Sequence, residues 1–177
     1  MRAFTRAFAV VLVLTVTASA AALAERSKID VSIYGFYLGE SRESLVERAA
    51  KQGIACRRAE AMPKQLFPEI YVFDSSLDKS RQVMSAVVSL YKDRVGQVNV
   101  YLVDHSRSQY LQAAQSLEQS WNSFSGFSEQ NFGPMYIITL PNVLITLVDD
   151  GGEMYISYVH RSMLGAYNEE KAGSRNR

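Results

Sequence analysis

The sequence predicts an α+β fold in which two amphipathic helices pack on one face of an antiparallel sheet. Residues 41–52 and the segment that starts at Ser106 place apolar side chains at helical spacing. Most other segments are rich in β-branched and aromatic residues and are separated by turn residues. Because one helix precedes each group of strands, we expect the helices and the strands to form separate layers.

The first half of the chain contains one predicted helix, with Leu45, Val46 and Ala49 on its apolar face. Gly53 suits its C-terminal end, because glycine adopts the left-handed conformation without a Cβ clash. A loop with two prolines separates two short strands, and residues 92–96 form the turn of a predicted β-hairpin. The predicted strands of this half are residues 29–38, 54–58, 70–74, 83–91 and 97–103.

The second half begins with a capping box, in which Ser106 and Gln109 can each bond the other residue's backbone N–H. A single apolar stripe follows along the helix. From Gly165 onward the sequence is small and polar, so residues 165–177 are expected to form a flexible tail. The predicted strands are residues 136–140, 143–148 and 154–160, with Asp149-Asp150-Gly151-Gly152 as a hairpin turn.

The two halves share one order of elements, a helix followed by several antiparallel strands. We therefore predict a single α+β domain over residues 25–164, with two tandem units over residues 39–103 and 104–160. This length is sufficient for a core that folds without crosslinks.

The N-terminal segment has the organisation of a secretory signal peptide. Two arginines precede an apolar run over residues 7–16, and Ala22 and Ala24 supply the small-x-small pattern of a cleavage site. We expect cleavage between Ala24 and Glu25, a periplasmic or secreted location, and no stable membrane insertion afterwards. The alternative is an uncleaved anchor, since the uncharged residues 7–24 approach the roughly 20 that span a bilayer.

Residues 34–45, Tyr-Gly-Phe-Tyr-Leu-Gly-Glu-Ser-Arg-Glu-Ser-Leu, combine an apolar strand, a glycine and a helix that opens with serine and acids. With the order of elements, this pattern resembles the tandem helix-plus-sheet modules of the β-lactamase-inhibitor-protein type and of the small outer-membrane-assembly lipoproteins. The resemblance implies a protein-binding module and assigns no individual functional residue. It does not extend to lipid anchoring, because Glu25 stands where those lipoproteins carry a cysteine.

The charge balance and the motif content exclude several classes of function. Cleavage would leave 153 residues with 17 basic and 18 acidic side chains, a net charge of −1. That balance, together with export, argues against nucleic-acid binding. No glycine-rich phosphate loop is present, and neither His105 nor His160 has neighbouring ligands at zinc spacing. We therefore expect no cofactor and no metal.

Two short motifs that contain acidic residues are explained by turns and helix caps rather than by catalysis or metal binding. Asp104, His105 and Ser106 contain the residue types of a catalytic triad, but consecutive side chains cannot converge on one another. The acidic residues around Gly151 lack the alternating spacing of a calcium loop, so they indicate a hairpin tip. No catalytic residue is assigned.

Cys56 is the only cysteine, so no intramolecular disulfide can form. Cations lower a thiol pKa, and Arg57 and Arg58 follow it directly, so Cys56 is a candidate reactive thiol. The alternative is a small apolar residue on the buried side of a strand, with Arg57 turned to the opposite face.

Tyrosine is unusually frequent, with ten in the chain. Such side chains offer contact area and a hydrogen bond at low entropic cost, which suits a recognition face. The alternative is the ordinary preference of tyrosine for sheets. The candidate aromatic face consists of Tyr34, Tyr37, Tyr101, Tyr136, Tyr155 and Tyr158.

The leading functional hypothesis is an exported, non-enzymatic binding or assembly module that acts on another envelope protein. The alternatives are a periplasmic hydrolase and a small carrier of a lipid or glycan. An enzyme would show carboxylates in a cleft, a carrier an enclosed apolar cavity, and a binding module a flat aromatic patch.

Overall fold

Within the residues that the structure describes, eight antiparallel strands form one continuous sheet, accompanied by three helices and a short two-stranded ribbon. The computed structural model describes residues 29–30, 35–74, 83–103, 106–121, 127–130 and 133–175. Within these residues no helix is long and apolar enough to cross a membrane. In chain order the elements are β1 Ile29–Asp30, β2 Tyr37–Leu38, α1 Arg42–Lys51, β3 Cys56–Ala59, β4 Glu69–Asp74, β5 Val83–Tyr91, β6 Arg94–Leu102, α2 Arg107–Trp121, β7 Phe127–Gln130, β8 Gly133–Thr139, β9 Val143–Asp149, β10 Met154–His160 and α3 Arg161–Arg175.

The strand order is β3-β4-β5-β6-β10-β9-β8-β7, so two four-stranded meanders meet at their last strands. Residues 97–101 of β6 pair with residues 155–159 of β10, and the Asn99–Ser157 pair lies in the middle of this register. Each meander is preceded by one helix, α1 or α2. The α+β class and the predicted order of a helix before the strands in each half are confirmed.

Helices α1 and α2 pack on the same face of the sheet. Leu45 and Ala49 of α1, with Tyr110 and Leu117 of α2, belong to one core cluster with the apolar side chains of the strands. Serines cap both helices: Ser44 N–H donates to Ser41 Oγ at 3.3 Å, and Gln109 N–H donates to Ser106 Oγ at 3.2 Å. Each cap satisfies one of the backbone donors that a helix start leaves unpaired.

Residues 29–38 do not form the single strand that the sequence predicts. Two short strands occur instead, in which Ile29 pairs with Leu38 and Asp30 with Tyr37 in antiparallel register. Gly35 has a φ of +71°, which interrupts an extended strand and which glycine adopts without strain. The single-strand prediction is therefore wrong.

The β5–β6 turn contains two residues rather than the five predicted. Lys92 and Asp93 have φ values of +50° and +60°, and positive φ at both central residues defines the type I′ turn that matches the twist of a hairpin. The sheet also gains β7, which is absent from the predicted strands and pairs with β8 at the edge.

Residues 161–175 form helix α3, so the prediction of a flexible tail from Gly165 is wrong for this segment. The polar Glu and Lys residues here favour helix, and so do the alanines. Tyr167 attaches the helix to the domain, because its ring centroid lies 5.3 Å from that of Phe67 and 5.6 Å from that of Tyr91. No residue of α3 is fully buried.

Candidate interaction face

The face of the sheet that points away from α1 and α2 carries a buried polar cluster at its centre. The Gln97 side-chain amide donates to Asn99 Oδ1 at 3.0 Å and to Ser157 Oγ at 3.1 Å. Its oxygen accepts from Ser89 Oγ at 3.1 Å. All four residues are buried, and buried polar groups require such partners.

Residues 60–68, which we call the strap, connect β3 to β4 and lie over this cluster. Leu66 N–H donates to Gln97 Oε1 at 2.8 Å. The Lys64 carbonyl accepts from Gln97 Nε2 and from Asn99 Nδ2, both at 3.3 Å. Side-chain amides of β6 therefore hold the backbone of the strap against the sheet.

One end of the strap is anchored by Phe67, which is 2% exposed. Its ring stacks on Tyr91 at a centroid distance of 5.8 Å and also contacts Tyr167 of α3. It lies directly on Gly96 of β6, where an added Cβ would be 2.4 Å from a ring carbon. The close approach of ring and strand therefore requires glycine at this position.

The other end of the strap reaches the β9–β10 hairpin through Lys64. Its ammonium group donates to Asp150 Oδ2, donates to Glu153 Oε2 at 2.9 Å, and lies 5.0 Å from the centroid of the Tyr155 ring. Partial burial opposes the charge of Lys64, but the hydrogen bonds to both carboxylates outweigh it and raise the pKa of the amine. The hydrogen bond from Lys64 lowers the pKa of Asp150 to about 2, so this carboxyl stays ionised near neutral pH.

The second unit lacks an equivalent cover among the described residues, because only two residues join Gln130 of β7 to Gly133 of β8. The described side chains of β8 and β9 on this face are consequently partly or fully exposed, and on β10 Tyr155 is half-buried, whereas Ser157 and Val159 are buried. Cross-strand pairing sets them side by side, with Val148 opposite Tyr155 and Thr146 opposite Ile137. We call the following half-buried residues the open half: Ile137, Leu144, Thr146, Val148 and Tyr155.

The tyrosines of the predicted aromatic face do not share one face. Tyr101 and Tyr155 are cross-strand partners on the side away from the helices, with ring centroids 5.4 Å apart. The other four lie elsewhere: Tyr136 and Tyr158 are buried in the core on the helix side, Tyr37 lies on β2 under the guanidinium of Arg48, and Tyr34 is outside the described residues. Among the candidate tyrosines that the structure describes, Tyr155 therefore belongs to the open half, and the buried Tyr101 lies beside it.

Cys56 is half-buried and packs against the helix-side core. Burial raises the pKa of its thiol, whereas a reactive cysteine needs a lowered pKa. Arg57 pairs with Val72, which belongs to the cluster on the opposite face. This placement matches the apolar alternative and gives the reactive-thiol hypothesis no support.

The two acidic motifs discussed above can now be compared with the structure. Gly151 N–H donates to Asp149 Oδ1 at 3.0 Å and Gly152 N–H to Asp150 Oδ1 at 3.1 Å, as in a hairpin tip. Asp104 and His105 lie outside the described residues. Within the described part of the chain no three His, Cys, Asp or Glu side chains are grouped as metal ligands would be.

Lys64, Gln97 and Asn99 are absent from the residues that the sequence singles out. The sequence does contain a signal for two of these residues. Gln97 and Asn99 alternate with valines, and this alternation places both amides on one face of β6. Their partner is not local: the strap lies more than 30 positions earlier. The two strap prolines indicate a loop but not what the loop covers.

Comparisons with known proteins add no residue roles to these features. The chain matches no protein-family model, no curated protein and no solved structure.

Proposed function

We propose that this chain is an exported, non-enzymatic binding or assembly module that acts on another cell-envelope protein through the open half. The observation that carries the proposal is the row of half-buried side chains Leu144, Thr146 and Val148 along β9, with Tyr155 of β10 opposite Val148. Contiguous exposed aliphatic and aromatic side chains are typical of protein interfaces. Export rests on the signal-peptide pattern of the N-terminal residues.

The face suits this role better than the β3 edge of the sheet does. Strand addition needs an unpaired edge without charge, and β3 presents the exposed Arg57 and Arg58 at its edge. The β9–β10 hairpin carboxylates are engaged by Lys64, which gives no support to their use as an acid and base in a hydrolase. The open half is a surface row, whereas a lipid or glycan carrier uses a concave pocket.

The test uses Thr146→Arg, which places a charge at the centre of the open half. A desolvated charge disfavours association, so the variant should lose at least about tenfold in affinity for its partner. The control is Gln112→Arg, which adds the same charge on the exposed side of α2. Both purified variants and the unmodified protein are used to capture proteins from envelope extract, and the captured partner is then titrated by calorimetry.

The expected result is one reproducible envelope protein that binds the unmodified protein and Gln112→Arg equally and Thr146→Arg weakly. Urea denaturation of both variants verifies that each remains folded. Equal binding by the two arginine variants, or the absence of any reproducible envelope partner, would contradict the proposal.

A further inference from the structure

The side chains at the two ends of the strap make different kinds of contact with the sheet, and the Lys64 carbonyl accepts from Gln97 and Asn99. At the Phe67 end the contact is buried and apolar, and Leu66 N–H is bonded to the buried Gln97. At the Lys64 end it is ionic and partly exposed, with side-chain exposures of 27% for Lys64, 25% for Asp150 and 46% for Glu153. Salt screens exposed ion pairs far more than buried contacts, so the two ends should respond differently to ionic strength.

The backbone at Lys64 is also held in a conformation that it does not favour. Its φ is +66°, in the left-handed region, which is unfavourable for any residue with a Cβ. Such a residue stays there only where surrounding contacts stabilise it. The ion pairs with Asp150 and Glu153 are among those contacts, so breaking them favours relaxation of this end of the strap.

The Lys64 end covers an aromatic pair. The Lys64 ammonium lies over the Tyr155 ring, the Tyr155 ring lies tilted beside that of Tyr101, and Met62 of the strap packs against the same cluster. Tyr155 also belongs to the open half, so the covered area is continuous with the exposed one. Release of this end would therefore extend the open half as far as Tyr101.

We propose that the Lys64 end of the strap is an autoinhibitory latch, which closes the Tyr101–Tyr155 side of the open half and is released when its ion pairs break. The Lys64 carbonyl and the Leu66–Phe67 end remain attached and act as the fixed point, while the Lys64 side chain and the strap residues before it move away. The regulatory part rests on the proposed function of the open half, whereas the opening of the latch does not.

The opening is tested on the purified protein by nitration of Tyr155, followed by mass spectrometry, and by hydrogen exchange of the strap amides. Lys64→Gln removes the ion pairs, and Lys64→Arg keeps the positive charge. The control is Lys51→Gln, which removes the same charge from an exposed pair with Glu47 on α1. We expect Tyr155 to be nitrated several-fold faster in Lys64→Gln than in the unmodified protein. The Leu66 amide should keep its protection from hydrogen exchange.

Lys64→Arg and Lys51→Gln should behave like the unmodified protein, and high salt should accelerate nitration of the unmodified protein but not of Lys64→Gln. Unchanged nitration in Lys64→Gln would overturn the latch. Loss of protection at Leu66 in the same variant would also overturn it, because the strap would then move as one piece.

The regulatory part is tested by titrating the partner identified with the open half. Lys64→Gln should bind it more tightly than Lys51→Gln does, and equal binding overturns autoinhibition. Failure of the proposed function is distinguishable, since it would appear as equal binding by Thr146→Arg and Gln112→Arg, whatever the nitration rates show.

Discussion

At the scale of single residues, Gly96 allows the Phe67 ring to lie directly on β6. An alanine Cβ at this position would come within 2.4 Å of the ring, so the ring or the strand must move. We expect Gly96→Ala to lower the free energy of unfolding by about 1–3 kcal/mol, the usual range for overpacking. Urea denaturation measures this change.

The matched control is Gly152→Ala, where the nearest atom to the added Cβ is 3.8 Å away and the effect should stay within about 0.5 kcal/mol. In the background of Phe67→Leu, Gly96→Ala should become milder, because the smaller side chain leaves room. Strict additivity of the two substitutions would contradict a direct clash.

Glu40 is the second residue whose environment decides the effect of a substitution. It is 0% exposed, and its carboxylate accepts from Tyr37 N–H at 3.0 Å and from both terminal nitrogens of Arg48, at 2.5 and 2.7 Å. Breaking a buried bidentate pair leaves a charge without its partner. Arg48 is partly exposed, so water can solvate its charge when the partner is lost, and the cost is lower than for a fully buried pair. We therefore expect Glu40→Gln to lower the free energy of unfolding by about 2–3 kcal/mol.

Thermal and urea denaturation measure this loss, and Glu43→Gln, at an exposed position of α1, serves as the control with the same chemical change. Equal stability of the two variants would show that the Glu40–Arg48 pair contributes no more than a surface ion pair.

At the scale of elements, local chemistry explains which predictions succeeded. Helix α1 was predictable because its cap, its apolar spacing and its C-terminal glycine all lie between Ser41 and Gly53. The strap was predictable only as a loop, because the amides that hold it belong to β6. Helix α3 was missed because its stabilising contact, Tyr167 on Phe67, joins residues 100 positions apart. The Tyr101–Tyr155 pair likewise depends on the register between β6 and β10.

At the scale of the molecule, the two halves of the sheet have the same strand order, but the strap covers the outer face of the first half. Both units place a helix on one face and contribute to one core. On the opposite face, the nine-residue connection between β3 and β4 forms the strap, whereas two residues connect β7 to β8. The shorter connection between β7 and β8 therefore leaves the open half without a strap of its own.

Because one core cluster joins both units, we expect the molecule to unfold in a single transition. Leu117 of α2 is 1% exposed and lies in the same cluster as Leu45 of α1. Leu117→Ala should lower the free energy of unfolding by about 2–5 kcal/mol. The loss should appear equally in the slowest-exchanging amides of β5 and of β9, because both open only on global unfolding.

The control is Leu111→Ala, the same substitution on the same helix at a side chain that is 57% exposed, and its effect should stay within about 0.5 kcal/mol. Urea titration with two probes, far-ultraviolet circular dichroism and tyrosine fluorescence, measures whether the transitions coincide. Two separate transitions, or a loss of protection confined to β9 in Leu117→Ala, would mean that the units fold independently and that β6–β10 pairing only joins them. A single transition would mean that the open half is supported by the whole core, including the unit on which the strap lies.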